Sequence, residues 1–150
     1  MSGSLCILRN ANVYAPKPLG LKNLLIGGGK ILALTDDSLN ISSTLLSDDI
    51  DLEGQILTPG FVDAHAHITG GGGEAGFATQ VPPVSLSQFT AFGVTTVVGL
   101  LGTDDTTRNT ANLLAKVYGL REEGMSAYCW TGGYHYPLTT SYSFLPPFFL

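Results

Sequence analysis

The sequence predicts an α/β fold in two parts: a small β domain over residues 1–57, then strand–helix alternation over residues 58–140. Three observations carry this. The first 57 residues hold only short apolar or β-branched runs, separated by Gly, Asp, Asn and Pro. From Leu57 onward the order becomes β-α-β-α-β, which implies a parallel sheet joined by crossover helices. Finally, hydrophobic residues make up 44% of the chain and charged ones only 13%, so much of it is due for burial, as in a barrel-type α/β core.

In the first part, strands are expected in LCILRNANVY, KNLLI, KILAL and around IDLEGQIL. The stretch KNLLI-GGGK-ILAL predicts a hairpin whose glycines supply the turn. Its Gly29-Lys30 pair does not make a phosphate loop. That motif needs a glycine five residues before the Gly-Lys pair and Ser or Thr after it, where Leu24 and Ile31 stand.

In the second part, a strand is expected from about Ile56 to Ile68. Ser85-Leu86-Ser87-Gln88 then reads as a capping box opening a short helix that Gly93 ends. Val94 to Leu100 is rich in β-branched residues and predicts a buried strand. After the loop GTDDTT a helix is expected from about Thr107 to Glu123. Leu113, Leu114, Val117 and Leu120 line one of its faces and Gly124 stops it. A third strand follows over Met125 to Thr131.

Composition excludes several functions. A net charge of −5, with seven Lys and Arg and no basic cluster, argues against nucleic-acid binding. No run of about 18 apolar residues predicts a membrane span, and the N-terminus lacks the basic start and apolar core of a signal peptide. A cytoplasmic protein is expected, with Cys6 and Cys129 as free thiols and Asn40-Ile41-Ser42 unglycosylated.

Length is informative too. A complete (β/α)8 barrel takes about 250 residues, whereas about 90 follow the small β domain, enough for roughly three strand units. Either the fold is different and smaller, or the chain is a fragment of a barrel. Ser141 to Leu150, SYSFLPPFFL, favours the fragment, being apolar with no periodicity, no charge and two adjacent prolines. It reads as an aberrant tail from translated intron sequence or another gene-model error; the alternative is a genuine peptide packing on an exposed sheet edge. Sequencing the transcript across residue 140 separates the two.

The chemistry concentrates in Thr58 to Gly76, TPGFVDAHAHITGGGGEAG. On a strand, His65 and His67 share a face with Asp63, and two imidazoles from such positions can reach one metal ion. Alone, a His-x-His reads equally as a core or surface pair. Asp63 reads as an acceptor of backbone hydrogen bonds. The four glycines that follow let the backbone turn sharply and approach a ligand.

At Pro59-Gly60-Phe61-Val62-Asp63-Ala64-His65-Ala66-His67 the chain resembles the amidohydrolase superfamily, whose first barrel strand carries this motif. GGGGEAG at 70–76, GVTTVVGLLGTD at 93–104 and TGGYHYP at 131–137 narrow the resemblance to the isoaspartyl (β-aspartyl) dipeptidases, over about residues 5 to 140. The resemblance implies part of a β-sandwich plus the first three βα units of a (β/α)8 barrel, two zinc ions, a β-aspartyl dipeptide substrate and a homo-oligomer. It makes His65 and His67 metal ligands, and Gly72, Gly73, Glu74, Thr103 and Tyr134 substrate-binding residues. Glu74 would take the substrate α-amino group, and Tyr134 would also be catalytic, donating to the carbonyl oxygen. Their blander roles are a flexible turn for the glycines, a solvated carboxylate for Glu74, a helix N-cap aided by Asp104 and Asp105 for Thr103, and packing for Tyr134. His135 reads as structural. The family's bridging carboxylated lysine, remaining metal ligands and substrate-carboxylate residues have no counterpart here, so the chain itself is expected to be inactive. Alternatives are hydrolysis of cyclic amides, as by hydantoinases and dihydroorotases, and a non-catalytic fragment.

Overall fold

The computed structural model describes residues 5–104, 107–133 and 136–137, in two compact units, Met1–Pro59 and Gly60–Leu150. Tyr134, His135 and the tail over 141–150 lie outside the described residues.

The first unit is a five-stranded mixed sheet. β1 (Leu5–Tyr14) pairs antiparallel with β2 (Pro18–Gly27), which pairs antiparallel with β3 (Lys30–Thr35). The β2–β3 hairpin closes on Gly28 and Gly29, with φ of +58° and +73°. Two consecutive left-handed residues match the right-handed twist of the strands they join, and glycine reaches that region without a side-chain clash. On its other edge β1 pairs in parallel with β4 (Leu46–Asp51), then with β5 (Ile56–Leu57). Between these pairings β1 slips one residue against β2, and Asn10 there has φ +51°. Asn10 is held by its Nδ2, which donates to both Asp51 carboxylate oxygens at 2.9 Å, and by Asn23 Oδ1, which accepts its N–H at 3.1 Å. Such a bulge bends a strand, and here it separates the two parallel pairings. Ala11, Val13 and Leu24 form a small core, with Leu8, Leu52 and Leu57 packed on it.

The second unit is a parallel three-stranded sheet ordered β6 (Phe61–Ala66), β7 (Val94–Gly99), β8 (Ser126–Cys129). The strand expected over residues 56 to 68 is therefore two strands, β5 in the first unit and β6 in the second. Pro59 separates them, having no N–H to give a ladder. β6 to β7 runs through the glycine loop and α1 (Leu86–Thr90), whose N-terminus is fixed by the Ser85 N–H donating to Gln88 Oε1 at 2.9 Å. α2 (Thr110–Glu122) links β7 to β8. It starts three residues later than the apolar pattern predicts because Asn109 caps it, accepting the Asn112 N–H at 2.9 Å. Thr110, Leu113, Val117 and Leu120 form its buried face, while Leu114 is half-buried at the margin. With Ile68, Val97 and Ala127 they make a dry core.

Candidate functional site

The loops beyond the C-terminal ends of parallel strands are where such sheets build sites. Here the loop after β6 and the loop after β7 meet. β6 loses one residue of register against β7 between Asp63 and Ala66, a bulge at the histidines. Beyond it His67 lies just past the strand end, and the His65 and His67 rings stand edge to face with centroids 5.5 Å apart. Asp63 turns back on its own backbone and accepts the His65 N–H at 3.0 Å.

His67 fits between the two loops because both offer glycine. A methyl group added at Gly102 would lie 3.1 Å from the imidazole Cε1, and one at Gly71 would lie 3.4 Å from His67 Cβ. His67 Nδ1 is buried without a hydrogen-bond partner among the described residues, as is Thr69 Oγ1. A buried ring nitrogen left unpaired is costly, and a ligand would relieve it.

One residue beyond Gly102, the Thr103 hydroxyl donates to Glu74 Oε1 at 2.6 Å, joining the second loop to the first. Thr103 is therefore not the cap of α2, and Asp104 does not cap it either; Asn109 does. Asp104 instead accepts the Thr107 N–H at 2.9 Å. The Thr103 hydrogen bond holds the Glu74 carboxyl below the usual carboxylate range, aided by a backbone N–H and the nearby His67 and opposed by partial desolvation. Glu74 is exposed and remains a carboxylate at neutral pH. Gly72 and Gly73, with φ of +71° and +101°, carry the loop around to it.

Arg108 was not among the residues singled out from sequence. Its Nε donates to the Thr69 carbonyl at 3.0 Å, its Nη2 to the Val81 carbonyl at 3.1 Å and its Nη1 to Asp104 Oδ2 at 3.0 Å. Gln80 adds an Nε2 donation to the same Asp104 oxygen at 3.0 Å. The one legible signal was the Asp104–Arg108 spacing of four residues, which was no clue because the pair precedes the helix.

The histidines suit a metal such as zinc, which takes neutral imidazole. Among the described residues, however, no group of three or more His, Cys, Asp or Glu side chains is placed to hold an ion, so the two histidines do not by themselves complete a coordination sphere. Burial pushes the Cys129 thiol above its ordinary value, opposed by Arg121 nearby. Among the described residues no helix is long and apolar enough to cross a membrane.

A profile of the amidohydrolase family matches residues 48–110. Over 69 residues, 45% of this chain, the sequence is 38% identical to a dihydroorotase of Listeria monocytogenes, of which that stretch covers 15%. Two crystal structures of a β-aspartyl dipeptidase from Fervidobacterium islandicum AW-1 are similar over most of the chain. One, in complex with a β-Asp-Leu dipeptide, is 39% identical at a TM-score of 0.81, covering 91% of this chain and 34% of the other. The second is 40% identical at 0.79, covering 89% and 36%.

The chain is similar to an N-terminal portion of an amidohydrolase of the isoaspartyl-dipeptidase kind. It spans about a third of the solved dipeptidase chains it matches. That likeness agrees with the mixed sheets and few helices of the two units.

Proposed function

We propose that this chain supplies one side of a zinc-dependent hydrolase site for β-aspartyl dipeptides. The observation that carries the reading is the Thr103–Glu74 hydrogen bond, which brings a carboxylate on the glycine loop beside the histidine pair at the C-terminal edge of β6 and β7. In this reading the parallel sheet is the start of a (β/α)8 barrel. The solved β-aspartyl dipeptidase complexed with β-Asp-Leu supports the substrate class.

His65 and His67 would hold one of two zinc ions. Bound there, zinc polarises a scissile carbonyl and lowers the pKa of its water. Glu74 accepts the substrate α-ammonium, and Thr103 aims the carboxylate by occupying one of its oxygens. Gly72 and Gly73 offer backbone groups to the same end of the substrate. Tyr134 donates its phenol proton to the carbonyl oxygen as that oxygen becomes negative. The site is proposed to work in a homo-oligomeric, cytoplasmic enzyme.

A dinuclear centre needs more donors than two imidazoles. The 150-residue chain by itself is therefore proposed to be inactive, with zinc held weakly. Assaying the purified chain with zinc against β-aspartyl-leucine tests this: no turnover is expected, and turnover at an ordinary enzymatic rate with two bound zincs would overturn it. The dihydroorotase likeness supports a second reading, hydrolysis of a cyclic amide. Saturation-transfer NMR with β-aspartyl-leucine and with dihydroorotate separates them. Glu74-dependent contact with the dipeptide favours the first reading, and contact with the cyclic amide alone favours the second.

A further inference from the structure

We propose that Arg108 is a positioning residue for the amine end of this site, holding the glycine loop closed so that Glu74 meets Thr103. The inference rests on the reading of Glu74 given above and deepens it. Arg108 binds three separate pieces of chain. Thr69 lies two residues beyond His67 at the start of the glycine loop, Val81 lies at its far end, and Asp104 follows Thr103 directly. One planar guanidinium thus ties both ends of the loop to the segment that carries Glu74's partner. A lysine ammonium, a point donor on a flexible stem, cannot reproduce that fork.

The surroundings are built around this contact. The Arg108 and Asp104 side chains are only 12% and 14% exposed, unusually dry for an ion pair in a loop. Val81 also donates its N–H to the Gly71 carbonyl at 2.8 Å, so the loop closes as a small antiparallel bridge beside the guanidinium. Gly70, with φ +93°, has no room for a side chain. A methyl group there would lie 2.2 Å from the Val81 carbonyl oxygen and 3.0 Å from Arg108 Nη2. On the inner wall Gly73 packs against Gln80 and Asp104, and Gln80 is itself bonded to Asp104. The loop that delivers Glu74 has little apolar burial of its own: Glu74 through Val81 are all exposed. Its closure therefore depends on these polar ties, and Arg108 makes three of them.

The test uses the full chain and needs neither zinc nor substrate. Amide hydrogen exchange is followed by NMR at Val81 and Gly76, whose N–H groups bond within the loop, and at β7 and β8 as an internal reference. Arg108→Ala is expected to speed exchange of the two loop amides by about tenfold or more, the scale set by losing charge-assisted bonds from a locally opening segment. Exchange in β7 and β8 should stay within about twofold. Millimolar methylguanidinium should restore the loop protection, which a general loss of stability would not allow. Arg108→Lys, the gentler variant, should fall between. Unchanged loop exchange in Arg108→Ala overturns the proposal, and so does equal acceleration across β7 and β8 without rescue. A separate arm adds β-aspartyl-leucine to the unaltered chain and follows the Glu74 signals. If they do not move while Arg108→Ala still loosens the loop, the substrate reading fails and the loop assignment stands.

Discussion

The first unit and the second solve the same problem with opposite resources. Antiparallel strands need only short turns, so β1, β2 and β3 follow one another closely, and with the parallel β4 and β5 the first unit fits five strands into fewer than sixty residues. Among the described residues it has no α-helix to cover a sheet face, and Ile31, Leu32 and Ile56 are 65%, 55% and 69% exposed. Its order comes from turn chemistry and polar ties such as Asn10–Asp51 and Arg9–Asp49. The parallel strands of the second unit require crossovers, and α2 lays Leu113, Val117 and Leu120 against Val97 and Ala127 in a dry core. The same geometry leaves a loop beyond each strand end. The unit that buries its core well is therefore also the one free to spend loops on chemistry.

The sharpest way to break this comparison is to cut apolar side chains from each unit. Leu113 is wholly buried, so Leu113→Ala is expected to cost about 2–5 kcal/mol through lost transfer energy and a residual cavity. Ile31→Ala in the exposed hairpin should stay within about 0.5 kcal/mol. Urea unfolding of the two variants checks both. Similar losses would mean that the hairpin face is covered in solution and that the contrast is false.

A smaller effect tests how α2 begins. Asn109→Ala removes the side-chain acceptor for the Asn112 N–H and should cost about 1 kcal/mol. Asn109→Asp should retain most of that, because a carboxylate both accepts the bond and suits the helix N-terminus. If alanine proves neutral, the helix start is set by packing of Thr110 and Leu113 alone.

Much of the fold could be read from residue pattern. The glycine pair between two apolar runs located the hairpin, and the spacing of Leu113, Val117 and Leu120 located α2 and its buried face. Boundaries were less legible, since periodicity does not see caps or breaks. Asn109 delayed the helix and Pro59 divided one expected strand into two. In the site, the histidine pair and Glu74 were visible as motifs, and the Thr103–Glu74 bond joins two segments that the sequence had singled out separately. Arg108 was not visible. Its meaning lies in contacts with Thr69 and Val81, 39 and 27 residues away, which only the closed loop brings within reach.

The smallest expected effect is the response of the first unit's sheet to acid. There Arg9 donates to both Asp49 oxygens, from Nε at 2.6 Å and Nη2 at 2.8 Å, and this holds the Asp49 carboxyl below its ordinary value. Asp51 is lowered as well, by the Glu53 N–H first and the Asn10 amide second. Folding that lowers a carboxyl pKa is favoured by the ionised form. The contribution is present in full above the unfolded value near 3.8 and is lost as pH falls through the lower folded values. Amide protection in β1 and β4, taken relative to the intrinsic exchange rate at each pH, should therefore fall below about pH 4. Asp49→Asn keeps an oxygen acceptor for Arg9 but cannot titrate, so it should flatten that dependence while leaving β7 and β8 unchanged. At neutral pH the same variant should be nearly silent, since an exposed ion pair contributes little there. An acid response unaltered by Asp49→Asn would move the pH sensitivity of the sheet to Asp51, whose ties to Asn10 and Glu53 anchor the bulge of β1.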